Sequence, residues 1–280
     1  MSALEYDGLQ SIHAMFGDAG PLFGTVRPLE HLQPHNAILM EYVQASTLRR
    51  RLLAQNRLSS RHPRRGRDVG EPWRRAGAWL QRFQAATPHG ARPSRQALRE
   101  DVLERFDAYG SYLSGVLGAR FGDLGRRSSE LAGRVLPDQL TLAVSHGDFA
   151  PRNVFVGHDD RLTVFDPMPR WLVPAHEDLS RLLVSVRLLG LQVHTRGQAF
   201  SRATLDAVER DVLRGYAGER PLPVAELRAY ELLVLFDKWS ALLDRAERER
   251  SGLRRASLDR ATLYVRAQAD ELLELADTGR

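Results

Sequence analysis

The sequence predicts an α+β fold that is mainly helical and contains one short β-hairpin. Most of the chain after residue 46 repeats apolar residues at helical spacing. Two apolar segments near the N terminus, residues 25–32 and 37–43, have the composition of strands. Two further β-branched and aromatic segments, residues 154–156 and 162–165, flank a polar turn and predict the hairpin.

The spacing of apolar residues and the positions of glycine and proline predict the individual secondary-structure elements. Residues 2–16 predict a short amphipathic helix, and residues 73–84 and 99–118 predict longer helices, each with one apolar face. Residues 17–24 are glycine-rich, but they lack the G-x-G-x-x-G spacing and the lysine and hydroxyl of a P-loop, so we interpret them as a turn. Three prolines between residues 167 and 174 exclude a regular helix before about His176.

Composition restricts the class of protein. The 280 residues carry a formal net charge of +5 and contain no cysteine, which excludes disulfides and thiolate metal sites. No apolar segment approaches the roughly 20 residues that a membrane-spanning helix needs. The first ten residues carry acids instead of the basic flank of a secretory signal, so we expect a cytoplasmic protein without membrane association. The sequence leaves the oligomeric state open.

Arginine is unusually dense between Arg49 and Arg75, where ten arginines occur. This density raises the alternative of a basic nucleic-acid-binding protein. Few aromatic residues interleave the arginines, although binding of single strands needs exposed rings for stacking. Charge runs usually form solvated segments, so we interpret the stretch as a solvated loop and do not expect nucleic acid as a partner.

Residues 144–166 contain the strongest chemical signal. Asp148 is followed by Asn153 and, after the two predicted strands, by Asp166. If Asp159 and Asp160 form a two-residue turn, Asn153 faces Asp166 across the hairpin, and facing side chains lie about 4.5–5.5 Å apart at Cβ. Two oxygen ligands for one hard cation and one free carboxylate are the groups that magnesium-assisted phosphoryl transfer requires.

The motif HGDFAPRN followed by VFD resembles the catalytic and metal-binding loops of the aminoglycoside phosphotransferase family. The resemblance implies a protein-kinase-like fold and ATP-dependent phosphorylation of a small-molecule hydroxyl, with ATP and Mg²⁺ as cofactors. It implies the following roles: Asp148 as the catalytic base, Asn153 and Asp166 as metal ligands, and His146 and Asp178 as supports of the loop. Arg152, next to Asn153, is a candidate contact to phosphate or substrate, or a solvated arginine.

The family resemblance also assigns the N-terminal region. Residues 1–43 correspond to a truncated N-terminal lobe that ends in the hinge, and residues 44–280 to a mainly helical C-terminal lobe that carries the catalytic hairpin. Met40, Glu41 and Val43 would border the purine of the nucleotide.

Two features of the family are missing from this sequence, namely the glycine-rich phosphate loop and the strand lysine. The single lysine, Lys238, lies in a late helical segment, so Glu5 in the first helix would lack its usual partner and is interpreted as a solvated acid. Either the true start lies upstream of Met1, or most of the nucleotide-holding lobe has been lost. A catalytically inactive, pseudokinase-like binding protein is therefore the main alternative to an enzyme.

Overall fold

The structure is a computed structural model that describes residues 3–17, 20–55, 70–86, 97–167, 171–248 and 252–278. The chain forms two compact units. The first comprises Met1–Arg92, Ala143–Leu182 and Arg202–Pro221, and the second Pro93–Leu142, Leu183–Ser201 and Leu222–Arg280. The lobe boundary after residue 43 stays a prediction.

Strands and helices occur in separate runs along the chain, as is typical of an α+β fold. The described helices are α1 Ala3–Gly17, α2 Leu48–Leu53, α3 Glu71–Ala86, α4 Arg99–Leu117, α5 Ala119–Val135, α6 Glu177–Arg187, α7 Gly190–His194, α8 Arg202–Ala217, α9 Val224–Arg248 and α10 Gly252–Asp277. The described strands are β1 Phe23–Thr25, β2 Pro28–Leu32, β3 Ala37–Met40, β4 Ser46–Thr47, β5 Leu142–Val144, β6 Val154–Val156, β7 Leu162–Val164 and β8 Leu172–Pro174. No helix within the described ranges is long and apolar enough to cross a membrane.

A four-stranded sheet in the order β1-β7-β6-β4 carries the predicted hairpin. Strands β6 and β7 pair antiparallel, and β1 adds to β7 in parallel, with Gly24 opposite Thr163. The predicted N-terminal strands form a separate antiparallel hairpin, β2 with β3. Phe23 and Gly24 of β1 lie in the segment that was predicted to be only a turn, so the prediction was wrong at these two residues. The apolar residues of β1 pair with a strand almost 140 positions later, which local sequence cannot show.

An aromatic cluster forms the core next to this sheet. The ring of Trp79 on α3 stacks on Phe16 of α1 at 4.7 Å, on Phe83 at 5.2 Å and on Phe149 at 5.7 Å between centroids. Its indole Nε1 donates a hydrogen bond to the Gly24 carbonyl at 3.1 Å. Trp79 is fully buried, as the apolar face of the predicted helix indicated. One side chain thus connects α1, α3, β1 and the segment before β6.

Helices α3 and α8 pack backbone against backbone at two glycines. A Cβ on Gly77 would lie 2.1 Å from the Val212 carbonyl oxygen, and a Cβ on Gly215 would lie 1.7 Å from the Arg74 carbonyl oxygen. Real Cβ atoms do not approach backbone this closely, so only glycine permits the observed separation. The helix pair is held at a fixed, short distance by these positions.

The second unit is a helical bundle built from α4, α5, α9 and α10. Its buried rings meet edge to face, with Phe236 at 5.8 Å from Phe106 and 5.2 Å from Phe121 between centroids. Within this apolar core, Arg228 Nη1 donates to Glu231 Oε2 at 2.7 Å, and both side chains are almost fully buried. A buried ion pair of this kind is costly to form and more costly to break on one side.

Candidate active site

The segment between β5 and β6 is held by a buried carboxylate at the start of α6. Asp178 Oδ2 accepts a hydrogen bond from the His146 backbone nitrogen at 2.6 Å. Its Oδ1 accepts from Ser145 Oγ at 3.1 Å and from the Gly147 nitrogen at 3.3 Å. Burial raises the pKa of Asp178 to about 6, although these hydrogen bonds act in the opposite direction. This geometry matches the loop-supporting role that the family resemblance implied for Asp178.

His146 is enclosed by aromatic rings. Its imidazole is fully buried and lies 5.3 Å from Phe149, 5.9 Å from Trp79 and 6.2 Å from Phe83 between centroids. Burial lowers the pKa of His146 to about 4, so the ring is neutral at pH 7. Its Nδ1 faces the Asp148 backbone nitrogen at 3.4 Å. A buried neutral ring in contact with the loop can position the loop, and it is poorly placed to exchange protons with a substrate.

Asp148 is half-exposed and is contacted by its two neighbours in the loop. Arg152 Nη2 donates to Asp148 Oδ1 at 2.7 Å and to Oδ2 at 2.5 Å. Asn153 Nδ2 donates to Asp148 Oδ2 and to the Asp148 backbone carbonyl, both at 2.8 Å. With 45% of its side chain exposed, Asp148 can meet a ligand that enters from solvent. The structure therefore brings together the predicted base, one predicted metal ligand and Arg152.

The hairpin that follows has a different register from the predicted one. Val154 pairs with Val164 and Val156 with Leu162, and the Gly157 nitrogen donates to the Arg161 carbonyl at 2.9 Å. The loop therefore contains three residues, 158–160, instead of the predicted two. Asp160 adopts a left-handed conformation with φ of 60°, as the last residue of such loops commonly does.

This register places Asn153 opposite Phe165 instead of Asp166. The Phe165 nitrogen donates to the Asn153 carbonyl at 2.8 Å, which keeps Asp166 one residue beyond the end of the ladder. Asp166 itself has φ of 56°, a left-handed conformation that is uncommon for a residue other than glycine. The predicted pairing of Asn153 with Asp166 is therefore wrong in register, and a backbone turn at Asp166, not strand pairing, sets the direction of its side chain.

Asp166 lies close to two other carboxylates. Burial raises its pKa above the ordinary value, and the negative charges of Glu5 and Asp148 raise it further. Glu5 Oε2 is buried, although the sequence led us to interpret Glu5 as a solvated acid. Helix α1 turns this residue towards Asp166, and helical periodicity alone gave no sign of that direction. The structure thus adds Glu5 to the residues of the candidate site.

The arrangement fits a magnesium ion that is held jointly with a nucleotide. Magnesium is usually bound through one or two protein carboxylates, with substrate phosphates and water completing its shell. Asn153 and Asp166 supply oxygen atoms at adjoining strand ends, and a cation would relieve the repulsion that raises the pKa of Asp166. Among the residues that the structure describes, no group of three or more His, Asp or Glu forms a complete metal site. The residues thus suit an ion that takes its remaining ligands from phosphate and water.

A cavity of about 460 Å³ lies beside the segment that follows β3. It is lined by Glu41, Tyr42 and Val43 together with His13, Thr25, Arg27, Arg161 and Thr163. Glu41 is fixed there because its Oε1 accepts from the Arg27 nitrogen at 2.9 Å and its own nitrogen donates to the Arg27 carbonyl at 3.0 Å. Two of the three predicted hinge residues, Glu41 and Val43, therefore border a cavity, and Met40 is not among the described lining residues.

The arginine-rich stretch is only partly described, because residues 56–69 lie outside the described ranges. At its end, Arg74 and Arg75 on α3 donate to Glu71 at 2.9 Å each. These two arginines take part in ion pairs on their own helix.

Comparison with known proteins supports the family resemblance. The sequence model of the phosphotransferase enzyme family matches residues 18–222, which is more than half of the chain. The chain belongs to this family. A comparison with curated protein sequences finds no significant match.

Solved structures of several kinases share the fold. A choline/ethanolamine kinase family protein from Mesorhizobium loti is 16% identical, with 97% of this chain and 82% of that chain covered and a TM-score of 0.59. A glucosamine kinase is 17% identical over 92% of this chain and 70% of that chain, with a TM-score of 0.61. Choline kinase LicA from Streptococcus pneumoniae is 14% identical over 96% and 80%, with a TM-score of 0.58. The predicted kinase-like α+β fold is thereby confirmed.

Proposed function

We propose that this chain is an ATP-dependent phosphotransferase that phosphorylates a hydroxyl group of a small molecule. The observation that carries the proposal is the half-exposed Asp148 beside Asn153, with Asp166 close enough for the charge of Asp148 to raise its pKa. The Asp148 carboxylate is open to an acceptor, and Asp166 lies in a region of negative charge that would attract a cation. Family membership supports a phosphoryl group as the group that is transferred.

The nucleotide has a suitable location in the first unit. We assign the base to the cavity bordered by Glu41 and Val43, with Thr163 of β7 in its wall. Asp166 lies three positions after Thr163, or about 10 Å along an extended strand. The ribose and the first phosphates of a nucleotide can bridge that separation, so the terminal phosphate would lie near Asp166 and Asp148.

The residues of the loop then have distinct tasks. Asp148 accepts the proton of the acceptor hydroxyl as its oxygen attacks the terminal phosphorus, which general base catalysis makes about 10²–10⁴-fold faster. Asn153 and Asp166 would hold Mg²⁺, which would neutralise phosphate charge. Asp178 and His146 keep the loop in place. His146 does so through its contacts with aromatic rings, and Asp178 through hydrogen bonds to the loop backbone.

The chemical class of the acceptor is a further part of the proposal. The similar structures are described as kinases of choline or ethanolamine and of glucosamine, and one as a spectinomycin phosphotransferase. All of these acceptors are small polar molecules that carry both a hydroxyl and a nitrogen that is positively charged at neutral pH. We therefore propose an amino alcohol or amino sugar as acceptor, with aminoglycosides as one possibility among several.

Calorimetry with Mg·ATP and the full chain tests the proposal first. We expect measurable binding that is lost when EDTA removes the metal, and weaker binding for Asp166→Asn and Asn153→Ala. Release of ADP should then be measured with choline, ethanolamine, glucosamine and spectinomycin as acceptors. Asp148→Asn should lower kcat about 10²–10⁴-fold while Mg·ATP affinity changes less than about threefold.

A matched control is Asp206→Asn on α8, a carboxylate of similar exposure that contacts Arg202 at 3.9 Å. It should leave both nucleotide binding and turnover unchanged. A well-folded chain that does not bind Mg·ATP would contradict the proposal and favour an inactive binding protein. Binding of duplex or single-stranded nucleic acid with strong salt dependence would favour the basic nucleic-acid-binding alternative.

A further inference from the structure

Arg152 contacts the carboxylate of the proposed base, Asp148, through a single nitrogen. Both of its hydrogen bonds to Asp148 come from Nη2, at 2.7 Å and 2.5 Å. A guanidinium group carries five N–H donors in a planar fork, and a carboxylate has about four acceptor sites. The contact therefore leaves Nη1 and Nε of Arg152, and further lone pairs of Asp148, for other groups.

The position of Arg152 is set by the loop and not by a helix. Pro151 and Arg152 lie in a turn that is closed by a hydrogen bond from the Asn153 nitrogen to the Ala150 carbonyl at 2.9 Å. The Pro151 carbonyl accepts from the Arg49 nitrogen at the start of α2, at 3.0 Å. Hydrogen bonds thus fix the backbone immediately before and after Arg152, while 52% of its side chain stays exposed.

Stability does not account for this ion pair. Exposed pairs contribute only about 0–1 kcal/mol, because solvent screens them and both side chains lose freedom. A cation held at the catalytic carboxylate has a chemical consequence instead. It sits where the acceptor hydroxyl and the terminal phosphate of the nucleotide must meet in the proposed reaction, and guanidinium donors match the oxygens of a phosphate group.

We propose that Arg152 is a catalytic residue that joins the base Asp148 to the phosphoryl group being transferred. Nη2 keeps the Asp148 carboxylate in place, and the remaining donors of the guanidinium contact the equatorial oxygens of the terminal phosphate. The inference rests on the phosphotransferase function proposed above. In this proposal, the guanidinium of Arg152 supplies a positive charge at the reacting phosphate from within the same loop as Asp148.

The proposed phosphoryl transfer forms one bond, breaks one bond and moves one proton. The acceptor oxygen forms a bond to the terminal phosphorus of ATP, and its proton passes to an oxygen of Asp148. The bond between that phosphorus and the bridging oxygen breaks, and its electron pair leaves with ADP. Arg152 donates hydrogen bonds to the phosphoryl oxygens throughout and gives up no proton.

The test compares two nucleotides that differ in the terminal phosphate. Binding of Mg·AMP-PNP and of Mg·ADP is measured by calorimetry for the full chain, for Arg152→Ala and for Arg152→Lys. We expect Arg152→Ala to weaken Mg·AMP-PNP binding about 10- to 100-fold, the loss expected for a charge-assisted hydrogen bond. Mg·ADP affinity should stay within about twofold. Arg152→Lys should give an intermediate loss, because lysine keeps the charge but not the fork.

Arg248→Ala is the matched control for the loss of an arginine. Arg248 Nη2 also donates to both oxygens of a carboxylate four residues earlier, those of Asp244 at 2.7 Å each, and this pair lies on α9. This variant should bind both nucleotides as the parent chain does. Where an acceptor supports turnover, Arg152→Ala should also lower kcat about 10²–10³-fold with a smaller change in the KM of the acceptor.

The possible failures are distinguishable. If the parent chain binds Mg·AMP-PNP and Arg152→Ala binds it equally well, or loses affinity for both nucleotides alike, the phosphate contact is refuted and the phosphotransferase function stands. If the parent chain binds neither nucleotide, the proposed function fails and the role of Arg152 is refuted with it.

Discussion

Replacing Asp178 with asparagine tests how the catalytic loop is held. The buried carboxylate accepts hydrogen bonds from Ser145 Oγ, the His146 nitrogen and the Gly147 nitrogen, at 3.1, 2.6 and 3.3 Å. An amide nitrogen cannot accept a hydrogen bond, so at least one of these donors loses its acceptor in Asp178→Asn. A hydrogen bond to a charged group contributes about 1.5–3 kcal/mol. We expect the free energy of unfolding at pH 7 to fall by about 2 kcal/mol.

The pH dependence of this loss provides a sharper test. Burial raises the pKa of Asp178 from 3.8 to about 6, so the folded chain binds this proton more tightly than the unfolded chain does. The contribution of Asp178 to stability is therefore fully present below the lower of these pKa values and decreases as pH rises through the higher one. The pKa shift of Asp178 corresponds to a change of about 3 kcal/mol in the free energy of unfolding. Asparagine does not titrate, so the cost of Asp178→Asn should be greatest at low pH and smaller at pH 7.

Urea unfolding followed by tryptophan fluorescence at several pH values between about 4 and 7 measures both quantities. Asp206→Asn is again the control, and it should leave the free energy of unfolding at pH 7 almost unchanged. Parallel pH profiles for the parent chain and Asp178→Asn would refute the raised pKa. A loss below about 0.5 kcal/mol at pH 7 would refute the bracing role itself.

Three further substitutions test other parts of the structure. Glu5→Gln should lower the pKa of Asp166, because the negative charge of Glu5 is one cause that raises this pKa. NMR titration of the aspartate carboxyl carbons measures it, and an unchanged pKa of Asp166 would contradict the prediction. Trp79→Ala should lower the free energy of unfolding by about 3–5 kcal/mol, as measured by chemical unfolding, because it removes a fully buried ring. Arg228→Met should lower the free energy of unfolding by about 3–5 kcal/mol, because it leaves the buried carboxylate of Glu231 without its ion-pair partner. Replacing both residues by methionine should restore most of that loss. Equal losses in the single and double variants would exclude this explanation.

The sequence predicted the parts of the fold and site that depend on local pattern. The order Asp148, Asn153, Asp166 and the strands around it follow from residue types at short spacing, and the structure brings Asp148 and Asn153 into direct contact. The hairpin register was wrong by one residue, because Asp160 accepts a left-handed conformation and lengthens the loop. The residue types in this loop are compatible with either a two-residue or a three-residue turn.

Features that depend on distant parts of the chain were not predictable in this way. Strand β1 is only three residues long, and its pairing with β7 has no local signature. The direction of Glu5 depends on how α1 packs through Phe16 against Trp79, which the amphipathic pattern of α1 does not specify. The cavity arginines, Arg27 and Arg161, carried no signal among so many other arginines.

Gly77 on α3 and Gly215 on α8 make the candidate catalytic loop sensitive to very small changes in the packing of these two helices. Helix α3 carries Trp79, which stacks on Phe149, and Gln84, whose Nε2 donates to the Ala175 carbonyl just ahead of α6, where Asp178 lies. A single added methyl group at Gly77 or Gly215 would push the helix pair apart and carry these anchors with it. Tolerance to substitution in this chain is therefore set as much by the two glycines as by the charged groups that we propose for the chemistry.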